Sequence, residues 1–302
     1  MEITKELNLT DKQRAQMELH SFLNVLNILM GELELVRVDL DQMDALPQTR
    51  DLAEGVLEAV KAATLTKDLA LRLASIGFYF SREVDEALKL CPDAEDDNEV
   101  KESIANVNSI INVLSVRLQE YFERQETGLN WIPHPVAKLT DNFRKFFAAV
   151  EKNSRGRYHI VFNVAARDTT DYLVNFDIAG PDGSETLLMP PVMQDVFRDL
   201  IANARKYTLL GGEINAGLLQ NDRELRLVVE DNGCGIPEAE IESVVDFGYR
   251  ATTTEGKKTQ GGGFGLTKAY ANTRQLGGRM WIESEESRGT RIFIRVPLPN
   301  AK

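Results

Sequence analysis

Cysteine is almost absent: Cys91 and Cys234 stand alone in 302 residues, without a disulfide framework or metal-ligand spacing, and read as free thiols. Histidine occurs three times, as His20, His134 and His159, so chemistry on an imidazole has few candidates. Long apolar runs are missing too. The longest, such as Leu69–Leu73 and Ile76–Phe80, fall far below the roughly 20 residues that cross a bilayer, so no membrane span is expected. The start MEITKELNLTDKQ lacks the basic beginning and apolar centre of a signal peptide, which places the expected chain in the cytoplasm. Positive charge is in deficit, 35 basic against 47 acidic residues, for a formal charge of −12. Such a balance repels phosphate backbones and anionic lipid, so neither nucleic acid nor a membrane is an expected partner.

What is present is globular composition, 43% apolar and 27% charged, in a chain long enough for two domains. From Asp11 to Met43 the residues Leu19, Phe22, Leu26, Leu29, Leu33, Val36, Leu40 and Met43 alternate spacings of three and four, the seam of a long packed helix that Pro47 stops. A second helical pattern covers about Asp51 to Leu90, with Leu52, Val56, Val60, Leu73, Phe80 and Val84 inward. A third starts near Asn98 and runs through Val100, Ile104, Val107, Ile111, Leu114, Leu118 and Tyr121 towards Gly128. Beyond Gly128 the texture changes. Pro133 and Pro135 mark a linker, and alternating stretches at 158–164, 171–178, 224–230 and 291–298 read as strands between helical patterns at Val136–Val150, Pro191–Tyr207 and Leu266–Leu276. The expected architecture is multidomain, α followed by α+β: a helical bundle over 1–128 and an α/β sandwich over 129–302.

Three segments of the second half carry chemistry. In RDLIANARKYT (198–208), Asp199 and Asn203 lie four apart on one helix face, where an asparagine carbonyl suits Mg²⁺ and a carboxylate can orient a water or nucleophile. Lys206 can meet a phosphate as a point charge. A surface helix with solvated charges looks the same. DNGCGIP (231–237) follows a strand directly, and its glycines permit a turn where backbone and ligand approach closely; Asp231 can accept from the exocyclic amine of adenine. A hairpin connector accounts for it equally. QGGGFGL (260–266) is a glycine cluster opening a helix whose start offers amides to phosphates, after a polar stretch at 250–260 with the composition of a lid, Lys257 and Lys258 included.

Together these segments resemble the histidine-kinase branch of the Bergerat-fold ATPases, a superfamily shared with topoisomerases, chaperones and repair proteins. RDLIANARKYT resembles the asparagine box, DNGCGIP the first glycine box, DFGYR (246–250) the phenylalanine box, GGGFGL the second glycine box and Gly289–Thr290 the last glycine motif. The likeness covers residues 131–302. It implies that Asn203 coordinates Mg²⁺, that Lys206 contacts phosphate and that Tyr207 lies near the nucleotide. It further implies that Asp231 recognises adenine, with Thr290 beside the nucleotide. Gly233 and Gly235 would let adenine approach the backbone; Gly261, Gly263 and Gly265 would shape the lid and the phosphate-binding helix start; Phe247 and Tyr249 would fasten the lid. Phe264 stands where the family usually has leucine.

LHSFLNVL resembles a weakened phosphoacceptor box. His20, Asn24, Asn27 and Gly31 form a polar strip at spacings of four, three and four, and Asn24 fits the family pattern. Ser21 replaces the acid that normally follows the histidine, and Val25 replaces the proline. The likeness therefore implies a sensor histidine kinase core, with ATP and Mg²⁺ as cofactors and His20, Asn24 and Asp199 as catalytic residues. The expected partners are a response-regulator receiver bearing an aspartate, a second copy of the chain completing the bundle, and a separate sensor protein. The alternative is a degenerate ATP-binding regulator, scaffold or phosphatase without autokinase activity.

Overall fold

The computed structural model describes residues 1–62, 64–152, 154, 156–254 and 262–299. They fall into two compact units, Thr10–Gln125 and Met1–Leu9 with Glu126–Lys302. The division differs from a single cut at 128: the first nine residues pack with the second half of the chain.

The helical unit contains α1 (Asp11–Asp39), α2 (Pro47–Lys61), α3 (Lys67–Leu73), α4 (Ile76–Leu90) and α5 (Asn98–Thr127). A capping box starts α1: Thr10 Oγ1 accepts from the Gln13 amide, and Gln13 Oε1 accepts from the Thr10 amide. The expected seam is buried from Leu19 to Leu40, but Met43 is 52% exposed, because Asp41 and Leu46 adopt left-handed backbone and turn the chain. Pro47, read as a stop, is also the first residue of α2. The next pattern is not one helix. The first helix of it ends at Lys61 and the next begins at Lys67, with Leu69 N donating to Thr66 Oγ1; a further break falls at Ala74–Ser75, where Ser75 Oγ donates back to the Arg72 carbonyl. These breaks let α4 fold back on α2.

Leu46, in left-handed backbone, offers α2 no side-chain cap, and Glu83 of α4 supplies one. Its carboxylate accepts from the Gln48 and Thr49 amides and from Thr49 Oγ1, at 2.7–3.0 Å. Phe22 of α1 meets Tyr121 of α5 edge to face at 5.5 Å. The seams of α1, α2, α4 and α5 thus close one core within one chain. No single helix among the described residues is long and apolar enough to cross a membrane.

The second unit contains β1 (Ile132–Pro135), α6 (Val136–Lys152), β2 (Ile160–Val161), β3 (Tyr172–Ala179), β4 (Thr186–Met189), α7 (Pro191–Tyr207), β5 (Glu213–Gln220), β6 (Glu224–Asp231), α8 (Gly265–Gln275), β7 (Arg279–Glu285) and β8 (Gly289–Pro297). The main sheet runs β2-β3-β5-β6-β8-β7, parallel across β2, β3 and β5 and antiparallel beyond, while β1 pairs with β4. Strict alternation of buried and half-buried residues along β5 and most of β6 shows one sheet face covered, by α6, α7 and α8. At the far edge Ile3 N donates to the Met280 carbonyl at 2.9 Å, and Ile3 itself is 1% exposed. Residues 1–3 therefore extend the sheet beside β7.

Candidate functional site

Asn203, Lys206 and Tyr207 lie on the last two turns of α7, and Asp231 is the last residue of β6, as the motif spacing predicts. The two elements meet where Cys234 N donates to the Tyr207 carbonyl, at 3.2 Å. Asp231 Oδ1 accepts from Gly233 N at 2.9 Å, which shapes the turn. A Cβ at Gly233 would stand 2.5 Å from the Tyr207 carbonyl oxygen and 2.7 Å from Asp231 Oδ1, so only glycine lets α7 and this turn close. Gly235 continues the turn at φ +68. Across the sheet Asp231 is in register with Thr290 of β8, whose Oγ1 is 2.8 Å from Ser284 Oγ. Ser284 Oγ also accepts from Ile236 N, tying β7 to the glycine turn.

The opposite wall of the site is built by α8. A Cβ at Gly265 would stand 2.8 Å from Asn203 Nδ2, so the helix start lies directly against the asparagine. No side chain caps α8 among the described residues. Gly263, at φ +73, passes close to the Gly248 and Tyr249 backbone. Phe247 packs on Phe264 with ring centroids 4.6 Å apart, so the aromatic that replaces the usual leucine holds the phenylalanine box to the second glycine box. Tyr249 turns to Glu240 instead, donating to Oε2 at 3.0 Å. Gly261, Lys257 and Lys258 lie outside the described residues.

Charge converges here. The Lys206 ammonium, 5.2 Å from the Tyr207 ring centroid, is pushed down to about 8 by burial and by the neighbouring Arg250 and Arg205. Burial pushes the Tyr207 phenol up, against the opposing pull of Arg250. The motif likeness implies no role for Arg250 of DFGYR, and only the fold brings it beside Lys206 and Tyr207. Asp199 also differs from expectation in its surroundings, since its Oδ2 accepts from Lys268 Nζ of α8 at 2.8 Å. Two glycine-lined approaches, a carbonyl-bearing Asn203 and clustered cations fit a phosphate-rich nucleotide. Among the described residues no group of three or more His, Cys, Asp or Glu could hold a metal ion.

In the helical unit, His20 is partly exposed on α1 and its Nε2 lies 3.3 Å from Asn24 Nδ2, one turn on. His134, on β1, lies 3.1 Å through Nε2 from the Met189 carbonyl, and His159 lies 3.2 Å through Nδ1 from Glu151 Oε1, so both serve the second unit's local structure.

Residues 190–300 match the family model described as histidine kinase-, DNA gyrase B-, and HSP90-like ATPase. Sensor histidine kinase WalK of Bacillus subtilis (strain 168) is 36% identical over 104 residues, covering 34% of this chain and 17% of that protein. Sensor protein kinase WalK of Staphylococcus aureus is 34% identical over 110 residues, covering 36% of this chain and 26% of that protein. The chain thus matches about a quarter or less of the length of these curated relatives. The solved catalytic domain of histidine kinase ThkA aligns with a TM-score of 0.40 and 17% identity, over 56% of this chain and 98% of that one. Residues 190–300 thus carry an ATPase domain of the histidine kinase-, DNA gyrase B- and HSP90-like kind, and that segment is similar to the sensor histidine kinases.

Proposed function

We propose that this chain binds Mg·ATP in its second unit and transfers the γ-phosphoryl group to His20, from which it passes to an aspartate on a receiver domain. The observation that carries the reading is the meeting of Asn203, Lys206, Asp231 and the α8 start around one glycine-lined site. Asp231 would accept from the adenine amine, with Thr290 opposite it; Lys206 and Arg250 would offset phosphate charge; Asn203 would hold Mg²⁺ through its carbonyl. When bound, the ion would offset charge on the phosphates during transfer. Proposed partners are that receiver and a second copy of this chain.

On α1, an Asn24 amide donating to Nε2 selects the ring tautomer with its proton on Nδ1. Release of that contact would leave the Nε2 lone pair as nucleophile. The N–P bond forms as the β,γ-bridging bond breaks towards ADP, and the Nδ1 proton must then be lost; Ser21, which follows the histidine, is no carboxylate to receive it. Incubation of the full chain with γ-labelled ATP and Mg²⁺ should give an acid-labile, base-stable phosphoprotein, absent in His20→Ala. Undiminished label in that variant would overturn the assignment. ATP binding without any label would leave the regulator reading.

A further inference from the structure

Lysine is among the residues least often buried, and here Lys268 of α8 is 6% exposed, its ammonium turned to α7. Its Nζ lies 2.8 Å from Asp199 Oδ2 and 3.6 Å from Asp195 Oδ2, while Arg198 Nη1 reaches Asp195 Oδ1 at 3.3 Å. Two acids and two bases thus form a cluster of no net charge; Asp195 and Arg198 are themselves 4% and 6% exposed. Removing such charges from water is costly, so a largely buried cluster of this kind is poor evidence of added stability. Its place in the fold suggests another purpose. Asp199 is one turn before Asn203 on α7, and Lys268 is nearly one turn after Gly265 on α8. The closest approach of Gly265 to Asn203 and the ion pair therefore lie one helical turn apart, two fixed points that set how α8 lies along α7. A third comes from Thr267 Oγ1, which donates to the Asp246 carbonyl at 2.9 Å, next to Phe247.

We propose that Lys268 is a positioning residue of the nucleotide site: its ammonium, seated on Asp199 and Asp195, holds the uncapped start of α8 against Asn203 where the phosphates bind. The inference rests on the ATP-site reading above. It also gives Asp199 a place in the site, as the anchor for that ammonium.

The test compares Mg·ATP with adenosine, which lacks phosphates, by calorimetric titration of the full chain and of Lys268→Arg, Asp199→Asn and the double variant Asp199→Asn/Lys268→Met. The double variant keeps the cluster neutral, so it folds where Lys268→Met alone leaves a buried acid uncompensated. Relative to Asp199→Asn, the double variant should bind Mg·ATP about tenfold more weakly, with adenosine unchanged within about twofold, because only the phosphate-binding helix start has lost its fixed point. Lys268→Arg should keep Mg·ATP affinity within about threefold. Equal Mg·ATP affinity in Asp199→Asn and the double variant would overturn the proposal, as would parallel losses of both ligands. If the unaltered chain binds neither ligand, it is the nucleotide reading that fails.

Discussion

Lys206 is the residue whose chemistry is most exposed to measurement. Burial and two neighbouring guanidinium groups push its ammonium down to about 8, so in the folded chain it gives up its proton while the unfolded chain still holds one. The sign for folding follows: between about 8 and the ordinary value of 10.5 the unfolded state binds more protons, and stability rises with pH across that window. Phosphate binding has the opposite sign, because an anion favours the charged ammonium. Above pH of about 8, Mg·ATP binding should therefore take up a proton, and affinity should fall by up to tenfold per pH unit. Calorimetry in two buffers of different ionisation heat measures the uptake. Lys206→Met should abolish it; an unchanged uptake would place the titrating group elsewhere.

At the scale of elements, the motifs that were legible are the ones whose parts are close in sequence. A strand running into Asp-Asn-Gly, and glycines running into a helix, state their own geometry, and β6 and α8 begin and end within a residue or so of the expected positions. The Lys268–Asp199 pair joins positions 69 apart, and nothing local to either residue points to the other. The break of the 51–90 pattern escaped for a different reason: Leu73, Phe80 and Val84 keep helical spacing on both sides of turns made by small polar residues, and periodicity does not register a change of direction. Residues 1–9 lacked any signal, being too short for a period. Yet Ile3 is buried against the sheet, Tyr270 Oη donates to the Ile3 and Lys5 carbonyls at 3.2 and 2.7 Å, and Lys5 pairs with Asp246 at 2.6 Å. This segment covers the β7 edge, which would otherwise present unpaired backbone groups. Ile3→Ala should destabilise the second unit by about 2–5 kcal/mol in urea unfolding, whereas a surface strap contributing nothing would give a change under about 0.5 kcal/mol.

At the scale of the whole molecule, the two-domain division was legible because composition and periodicity both change near Gly128; the assignment of the first nine residues to the second domain was not. The seams predict a helical bundle, and the family likeness implies that a second copy of the chain completes it. The turns after α1 and α2 bring the helices of one chain together around a shared core. Leu26, Leu29 and Val36 of α1, Val56 of α2, Phe80 of α4 and Val107 of α5 are all at most 1% exposed within one chain. A core closed in this way predicts that any association of copies uses surfaces outside it. Thermal unfolding of the full chain at concentrations about a hundredfold apart should leave the midpoint of the helical unit unchanged, because mass action shifts only a structure shared between chains. Mg·ATP at about 100 times its Kd should stabilise the second unit by about 2.7 kcal/mol and so identify its transition. A helical-unit midpoint that climbs with protein concentration would show instead that two chains share the core, and that the buried faces of α1 and α5 exchange between them.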